Sequence, residues 1–473
     1  MEKEIKQELR KISLRAEKKK WECIQKSKKP RFYFFYLVLI LSMAYVIDEI
    51  ATNINAAIQS DAVTTFFDGN VNQYTIIMTI AATISSVAFL VRSLADRFGR
   101  KPFLIINLFG MGVGMLICFL ARSLPYYLIG LGINFLFAPF DIQTLYIIEV
   151  SSDKRRAMNL SICKAVGMLG ITIVPILKNA LRIFGWQDAF FVPALLGIAM
   201  GIIVIFFVRE SDVFISDRIN QIKLELRKKP TKNKKKKKAK KNESPSLIEA
   251  IKYMFKEKAF LWLCLASVLF GICSIGMSNY SLVMTPTVEG AITYIESDSA
   301  IALYPFACAL IIIANGIISD AFGRRVATIF DSAVAFLGIV FFFIGVTCSW
   351  HYALVGVFLG SFIGGYLSGV DTFNVLCSEK SPTMYRSSIM SIINVAVAVG
   401  TTISTLIFML FNTVIENLNI GILIIVVIPI SLAGALYVLL LKVPETKGMA
   451  LDQNDIKVAD NDDEELVLTT KDF

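Results

Sequence analysis

The sequence predicts an all-α membrane protein with twelve transmembrane helices in two pseudo-symmetric six-helix bundles. Three observations carry that reading. Of 473 residues, 55% are hydrophobic and only 18% charged, with a mean hydropathy of +0.63; a water-soluble chain carries about 25% charged residues. The apolar residues fall into blocks of about 20, the length that crosses a bilayer. The second half also repeats the charged loop motifs of the first at matching places. These features exclude a soluble enzyme, a disordered scaffold and a disulfide-rich secreted domain. Blocks rather than alternation exclude an outer-membrane barrel.

The elements follow in order. Residues 1–31 are basic, and Ile5, Leu9, Ile12 and Ala16 keep helical spacing, which predicts an amphipathic helix on the inner leaflet. No apolar core or small-residue cleavage site marks a signal peptide there. The first bundle is expected over 32–208, with spans at 32–58, 74–94, 103–121, 126–149, 158–178 and 189–208. A basic segment, 209–258, contains KKPTKNKKKKKAKKNESPS. It is too biased to form a core and reads as a linker. The second bundle is expected over 259–442, with spans at 259–283, 299–318, 326–347, 352–377, 387–411 and 420–442. The tail, 443–473, turns acidic after 450.

Charge sets the orientation. Net charge is +10, concentrated in the two basic segments. Because they flank apolar spans, their expected neighbour is anionic lipid or plain solvent, not nucleic acid. With the N-terminus inside, the outer loops hold only Arg122, Lys178 and Arg182. That asymmetry, with an even span count, places both termini of the multi-pass chain in the cytoplasm; the cell membrane is the default location expected for it. The eight cysteines lack CxxC spacing, and His351 is the only histidine. No metal site, cofactor or nucleotide-binding loop is expected, and no catalytic constellation appears, so the chain reads as a non-enzyme; a monomer is expected.

The repeat is specific. LADRFGRKP (94–102) and ISDAFGRRV (318–326) both read Asp-x-x-Gly-Arg-basic. YIIEVSSDKRRA (146–157) and CSEKSPTMYRSS (377–388) both place a glutamate seven residues before an arginine. Asp96, Arg100, Glu149 and Arg156 thus mirror Asp320, Arg324, Glu379 and Arg386. Charge-assisted hydrogen bonds among them are expected to tie the helices of each half, and the halves to each other. Asp96 is also placed to cap a neighbouring helix N-terminus. The plainer reading is a set of topology-determining charges.

These motifs resemble the major facilitator superfamily. LADRFGRKP matches its loop signature except for the leading glycine, here Arg92. The glutamate-to-arginine pairs, Pro382 and VPETKG (443–448) resemble the sugar-porter branch. The resemblance implies a carrier working by alternating access, with the loop charges latching its cytoplasmic side.

Charges within spans are costly and usually functional. Asp48, Thr52 and Asn55 share one face of the first span, beside Glu49. By resemblance, Asp48 stands where sugar–proton symporters take up protons, although the partner arginine of the fourth span is absent. Asp141 lies eight residues before Glu149, and Asp371 eight before Glu379. That repeated depth makes them candidate acids for a cationic or polyhydroxy solute or for protons; alternatively one or both pair with Lys164 or a buried amide. Lys164 is expected to pair with Asp48 or Asp141, to bind a substrate anion, or to snorkel to the interface. Asn279 matches the asparagine of the family's glycine-x-asparagine pattern, but the two preceding glutamines are replaced by Cys273 and Ser274. The expected function is proton-coupled movement of a small polar organic solute. The alternatives are export of organic cations or drugs, and a carrier-like sensor.

Overall fold

The computed structural model describes residues 2–27, 31–70, 73–74, 76–78, 80–81, 94–138, 142–152, 154–180, 185–227, 247–284, 294–382, 385–414 and 420–449. Among these the structure is helical throughout. In the first half the helices are α1 (Glu2–Lys26), α2 (Tyr33–Ala57), α3 (Gln59–Phe66), α4 (Ala95–Phe98), α5 (Arg100–Leu120), α6 (Leu124–Phe137), α7 (Ile142–Val150), α8 (Arg156–Ile171), α9 (Ile173–Ala180) and α10 (Phe191–Phe207). Then come α11 (Asp212–Arg227) and α12 (Leu247–Lys256). The second half holds α13 (Lys258–Ile272), α14 (Ser274–Met284), α15 (Tyr294–Phe322), α16 (Arg324–Thr347), α17 (Tyr352–Lys380), α18 (Arg386–Val414) and α19 (Ile420–Lys442).

Ten described helical stretches are long and apolar enough to cross a membrane. The other two expected spans are accounted for differently. Span 74–94 falls largely outside the described residues. Span 158–178 is present as α8 and α9, which part at Thr172 and are individually too short to count. The basic segment is not structureless throughout. Its ends form α11 and α12, while the lysine run lies outside the described residues.

Within the first half α2 packs on α8, and α5 on α6 and α10; within the second, α17 packs on α15 and α16, and α13 on α18 and α19. Across the halves α15 runs against α8. Their contact is tight because Gly316 has no side chain: a Cβ there would lie 2.6 Å from both Cβ and Oγ of Ser161. Gly316→Val should therefore force α8 and α15 apart, with an overpacking cost of about 1–3 kcal/mol. A drop in melting temperature, with faster amide exchange in α8, would register it. Unchanged values would mean that the two helices are free to slide.

The N-terminal helix does not stand alone. Trp21 meets Phe214 of α11 edge-on, Arg218 pairs with Glu17 at 2.9 Å, and Gln25 donates to Ser216. Leu9 and Ile12 remain exposed on α1, the apolar stripe that the sequence assigns to the leaflet.

Candidate functional site

Two charged assemblies stand out, one at the basic end of the bundles and one deep among the spans.

The basic-end assembly starts from glycine. Gly99 and Gly323 adopt φ of 103° and 110°, a region that side chains disfavour. A Cβ at either would run into a carboxylate, of Glu210 and Glu445 respectively. Each glutamate accepts from the first backbone N–H groups of the helix that follows. Glu210 takes Arg100 N at 2.8 Å and Lys101 N at 3.2 Å; Glu445 takes Arg324 N at 2.9 Å and Arg325 N at 3.0 Å. The helix dipole favours an anion at that end. Neither glutamate is among the site residues that the sequence predicts. The signal was present in Val-x-Glu-Ser (208–211) and Val-x-Glu-Thr (443–446), one after each half.

With α5 and α16 so anchored, their first side chains point inward. Arg100 donates to Glu149 through Nη2 at 2.8 Å and Nε at 3.2 Å. Arg324 does the same to Glu379, at 2.6 Å and 3.2 Å, and adds Asp320 at 2.9 Å. Three links then cross between halves. Arg156 donates to Glu379 at 3.0 Å, Arg386 stands 3.8 Å from Glu149, and Asp320 accepts from the backbone N–H of Ala157 and Met158 at 3.3 and 2.9 Å. Arg100, Arg156, Arg324 and Arg386 are all fully buried. The seven members whose side chains are described thus form two groups, Arg100–Glu149–Arg386 and Arg156–Glu379–Arg324–Asp320; each spans both halves, and both are closed in this conformation. The side chain of Asp96 lies outside the described residues. It is Asp320, its counterpart, that caps a helix N-terminus, that of α8.

Burial pushes the Glu210 carboxyl up from its ordinary value, against the N–H donors of Arg100, Ser211 and Lys101. At Glu445 burial also works upward, but N–H donors of Arg325, Arg324, Thr446 and Lys447 outweigh it and hold the carboxyl low. The two caps therefore respond oppositely to acid. A depressed carboxyl contributes stability above its unfolded value and loses it as pH falls through the folded one. A raised carboxyl contributes below its unfolded value and loses it as pH rises through the folded one. Glu445→Gln should destabilise at neutral pH by about 0.5–1 kcal/mol, the low end for a lost cap because Glu445 is largely exposed. That deficit should shrink on acidification, and the deficit of Glu210→Gln should not. Thermal unfolding of the two variants from about pH 2 to 8, reaching below the ordinary glutamate value where Glu445 loses its contribution and above it where Glu210 titrates, checks the contrast.

The second assembly sits among the spans. Lys164 of α8 is buried and donates to Asp371 of α17 at 2.7 Å, with Glu49 of α2 at 4.0 Å. It therefore links the two halves rather than snorkelling, and the acid it meets at hydrogen-bond distance is Asp371, the pairing that the plainer reading of that acid allowed. Glu49 in turn accepts from Asn53 at 3.1 Å. Asp48 is buried next to Glu49, its carbonyl accepting from Thr52. Asp141 lies outside the described residues, as does the side chain of Asn279. Behind Asp371 lies a polar group of Asn315, Asp331, Ser368 and Thr372, all buried, of which the sequence reading missed Asn315, Asp331 and Thr372. Asp331 stands seven residues after Arg324, as Asn107 stands seven after Arg100. Among the described residues no group of three histidine, cysteine or acidic side chains is placed to hold a metal ion.

Apolar spans, a closed charge network at one end and an ion pair between halves at depth define a polytopic membrane carrier. A sequence model of the Major Facilitator Superfamily matches residues 32–405, and the chain belongs to that superfamily. Its members are transporters, not enzymes. The structure superposes on that of the proton:xylose symporter XylE with a TM-score of 0.66, at 15% identity, over 90% of this chain and 99% of the other. It superposes on the human organic anion transporter MFSD10 (TETRAN) with 0.64, at 13% identity, over 87% and 100%. These likenesses concern the fold. Among curated sequences, multidrug resistance protein MdtL of Klebsiella pneumoniae is 27% identical over 135 residues, 28% of this chain. That match spans about a third of the relative's length.

Proposed function

We propose that the protein carries a small polar organic solute, sugar-like or a related metabolite, across the cell membrane by alternating access, driven by protons. The supporting observation is the Lys164–Asp371 pair at 2.7 Å. It ties the two halves in the middle of the membrane, where an ion pair is expensive to break without a substitute. A proton on Asp371, or a solute hydroxyl beside Lys164, supplies that substitute, so binding and the parting of the halves become one event. The basic-end network is the second gate, which we place at the cytoplasmic face with both termini. The protein acts as a monomer in this reading, and the basic segments lie against anionic lipid.

A second reading, proton-coupled export of organic cations, draws on the acids Asp48, Glu49 and Asp371 around one lysine, and on the partial likeness to MdtL. Proteoliposomes with an imposed pH gradient separate the two. Labelled D-xylose and ethidium serve as probes, chosen after thermal-shift screening against sugars, amino acids and organic cations. Accumulation of the sugar with inward proton flow supports uptake, and expulsion of ethidium supports export. Movement of either that ignores the gradient would sink proton coupling.

A further inference from the structure

We propose that Asp331 is a proton-binding site, occupied by a proton in this conformation. One Asp331 carboxyl oxygen is buried with no partner, and the other is within reach of Thr372, whose hydrogens can be counted. A threonine hydroxyl has one hydrogen to give and two lone pairs to receive. Its oxygen lies 3.0 Å from the carbonyl of Ser368, one turn back on its own helix, and 3.3 Å from Asp331 Oδ2. Asn315 Nδ2 donates to it at 3.2 Å. If the hydroxyl hydrogen goes to the nearer acceptor, Ser368 O, Thr372 has no hydrogen left for Asp331. It has one lone pair left. A neutral carboxyl on Asp331 donates into that lone pair, and every valence of Thr372 is then filled.

An ionised Asp331 receives at most the one hydrogen of Thr372, with Asn315 Nδ2 then serving Ser368 O at 3.3 Å. Its other oxygen, Oδ1, is buried with no hydrogen-bond partner. Gly365 of α17 lies against the Asp331 backbone, so closely that a Cβ there would collide with its carbonyl oxygen. The two helices touch at this point. Arg324, on the same helix, stands about 10 Å away by helical rise and is bonded to Glu379 and Asp320. The neighbours of α16 present few charges here. From α17 it is Asp371 whose field reaches Asp331; α15 presents the neutral Asn315. Of the other charges of those helices, Glu379 and Asp320 are engaged by Arg324 and Lys380 pairs with Glu257 at 3.7 Å, all at the basic end, while Glu296 and Asp298 lie in the first two turns of α15, more than about four turns from Asn315. α14 and α19 carry no acidic or basic residue at this depth, the one charge of α19 being Lys442 at its end. A bare carboxylate in such a place is costly enough that buried acids take up protons instead.

The N-terminal half shows the neutral version of the same position. Asn107, fully buried, donates to Gln143 at 3.4 Å. A protonated aspartate is close to asparagine in shape and charge, yet unlike asparagine it is able to release its proton. Thr372 directly follows Asp371, so the stored proton sits beside the acid that Lys164 holds. That connection rests on the proposed coupling at Lys164–Asp371; occupancy of Asp331 by a proton does not.

The test is infrared spectroscopy of the full chain in phosphatidylethanolamine–phosphatidylglycerol vesicles at neutral pH. A protonated-carboxyl C=O stretch should be present in the wild type and absent in Asp331→Asn, which keeps the shape and should keep the melting temperature. Thr372→Val, which removes the acceptor, should move the band to the frequency of a free carboxyl. A band that persists unchanged in Asp331→Asn, or no such band in the wild type, overturns the proposal. No substrate enters the measurement. A failed transport assay therefore leaves it standing, and a missing band leaves the Lys164–Asp371 reading standing.

Discussion

Glu379→Gln should open the basic end. The Glu379 carboxylate is fully buried and receives Arg324 at 2.6 Å, Arg156 at 3.0 Å and Thr446 at 2.6 Å. Glutamine keeps the volume but halves the acceptors and turns an N–H₂ toward two guanidinium groups. Removing one partner of a buried ion pair typically costs about 3–5 kcal/mol, because the other charge is left stranded. The loss divides between two states. The Arg324 link lies within one half and persists when the halves part, so its loss lowers overall stability. The Arg156 link crosses the halves, so its loss falls on the closed state alone. If even about 3 kcal/mol falls there, the closed population drops about a hundredfold relative to the open one. The amides of Ala157 and Met158 report this directly, since Asp320 covers them from the other half. Their hydrogen exchange should accelerate about a hundredfold in Glu379→Gln and hardly at all in Glu210→Gln, which disturbs only an anchor within one half. Equal rates in the two variants would mean that the network is not a gate.

Much of this was legible in the sequence, for physical reasons that differ by element. Spans announce themselves because lipid demands about 20 apolar residues in a row. The helices at Arg100–Leu120 and Arg324–Thr347 begin within three residues of the expected starts, 103 and 326. The arginine–glutamate pairs were legible because the repeat fixes both members of each pair at one end. Partner choice at depth was not. Lys164 is eight residues past Arg156, and periodicity gives its height but not which helix of the other half meets it. That is decided by α8 packing on α15, a contact made possible by Gly316, whose lack of a side chain has no meaning until Ser161 is opposite. Asp331 escaped for a related reason. It sits seven residues inside a span whose other signals are apolar, and its counterpart is an asparagine, so the search for repeated acids passed over it. The caps Glu210 and Glu445 were readable in principle, since each follows a span at the same distance as its twin.

Lys164→Met should produce the largest loss of transport, and its contrast with Asp371→Asn carries the mechanism. Methionine leaves Glu49 and Asp371 buried near each other without the cation between them. Both must then take up protons or stay charged at high cost, and the stability loss should be about 3–5 kcal/mol. Asp371→Asn is not the mirror image. Lys164 keeps Glu49 within reach at 4.0 Å, in its own half, so the cation has somewhere to go. The loss should be smaller, about 1–3 kcal/mol, the range for a missing buried hydrogen-bond partner. What Asp371→Asn removes is the tie between halves, and with it the requirement that a proton or solute replace that tie. Gradient-driven accumulation should therefore collapse in both variants. Exchange of solute across the membrane without a gradient should survive in Asp371→Asn and fail in Lys164→Met. The double variant, with neither charge of the pair, should regain part of the stability lost in Lys164→Met, leaving a coupling of about 0.5–3 kcal/mol in the cycle. Accumulation should stay absent in it, because no charge remains to be exchanged at the seam. If instead the two single variants lose stability equally and the double variant loses the sum, Lys164 and Asp371 are neighbours without being partners. The seam between the halves would then have to be held elsewhere.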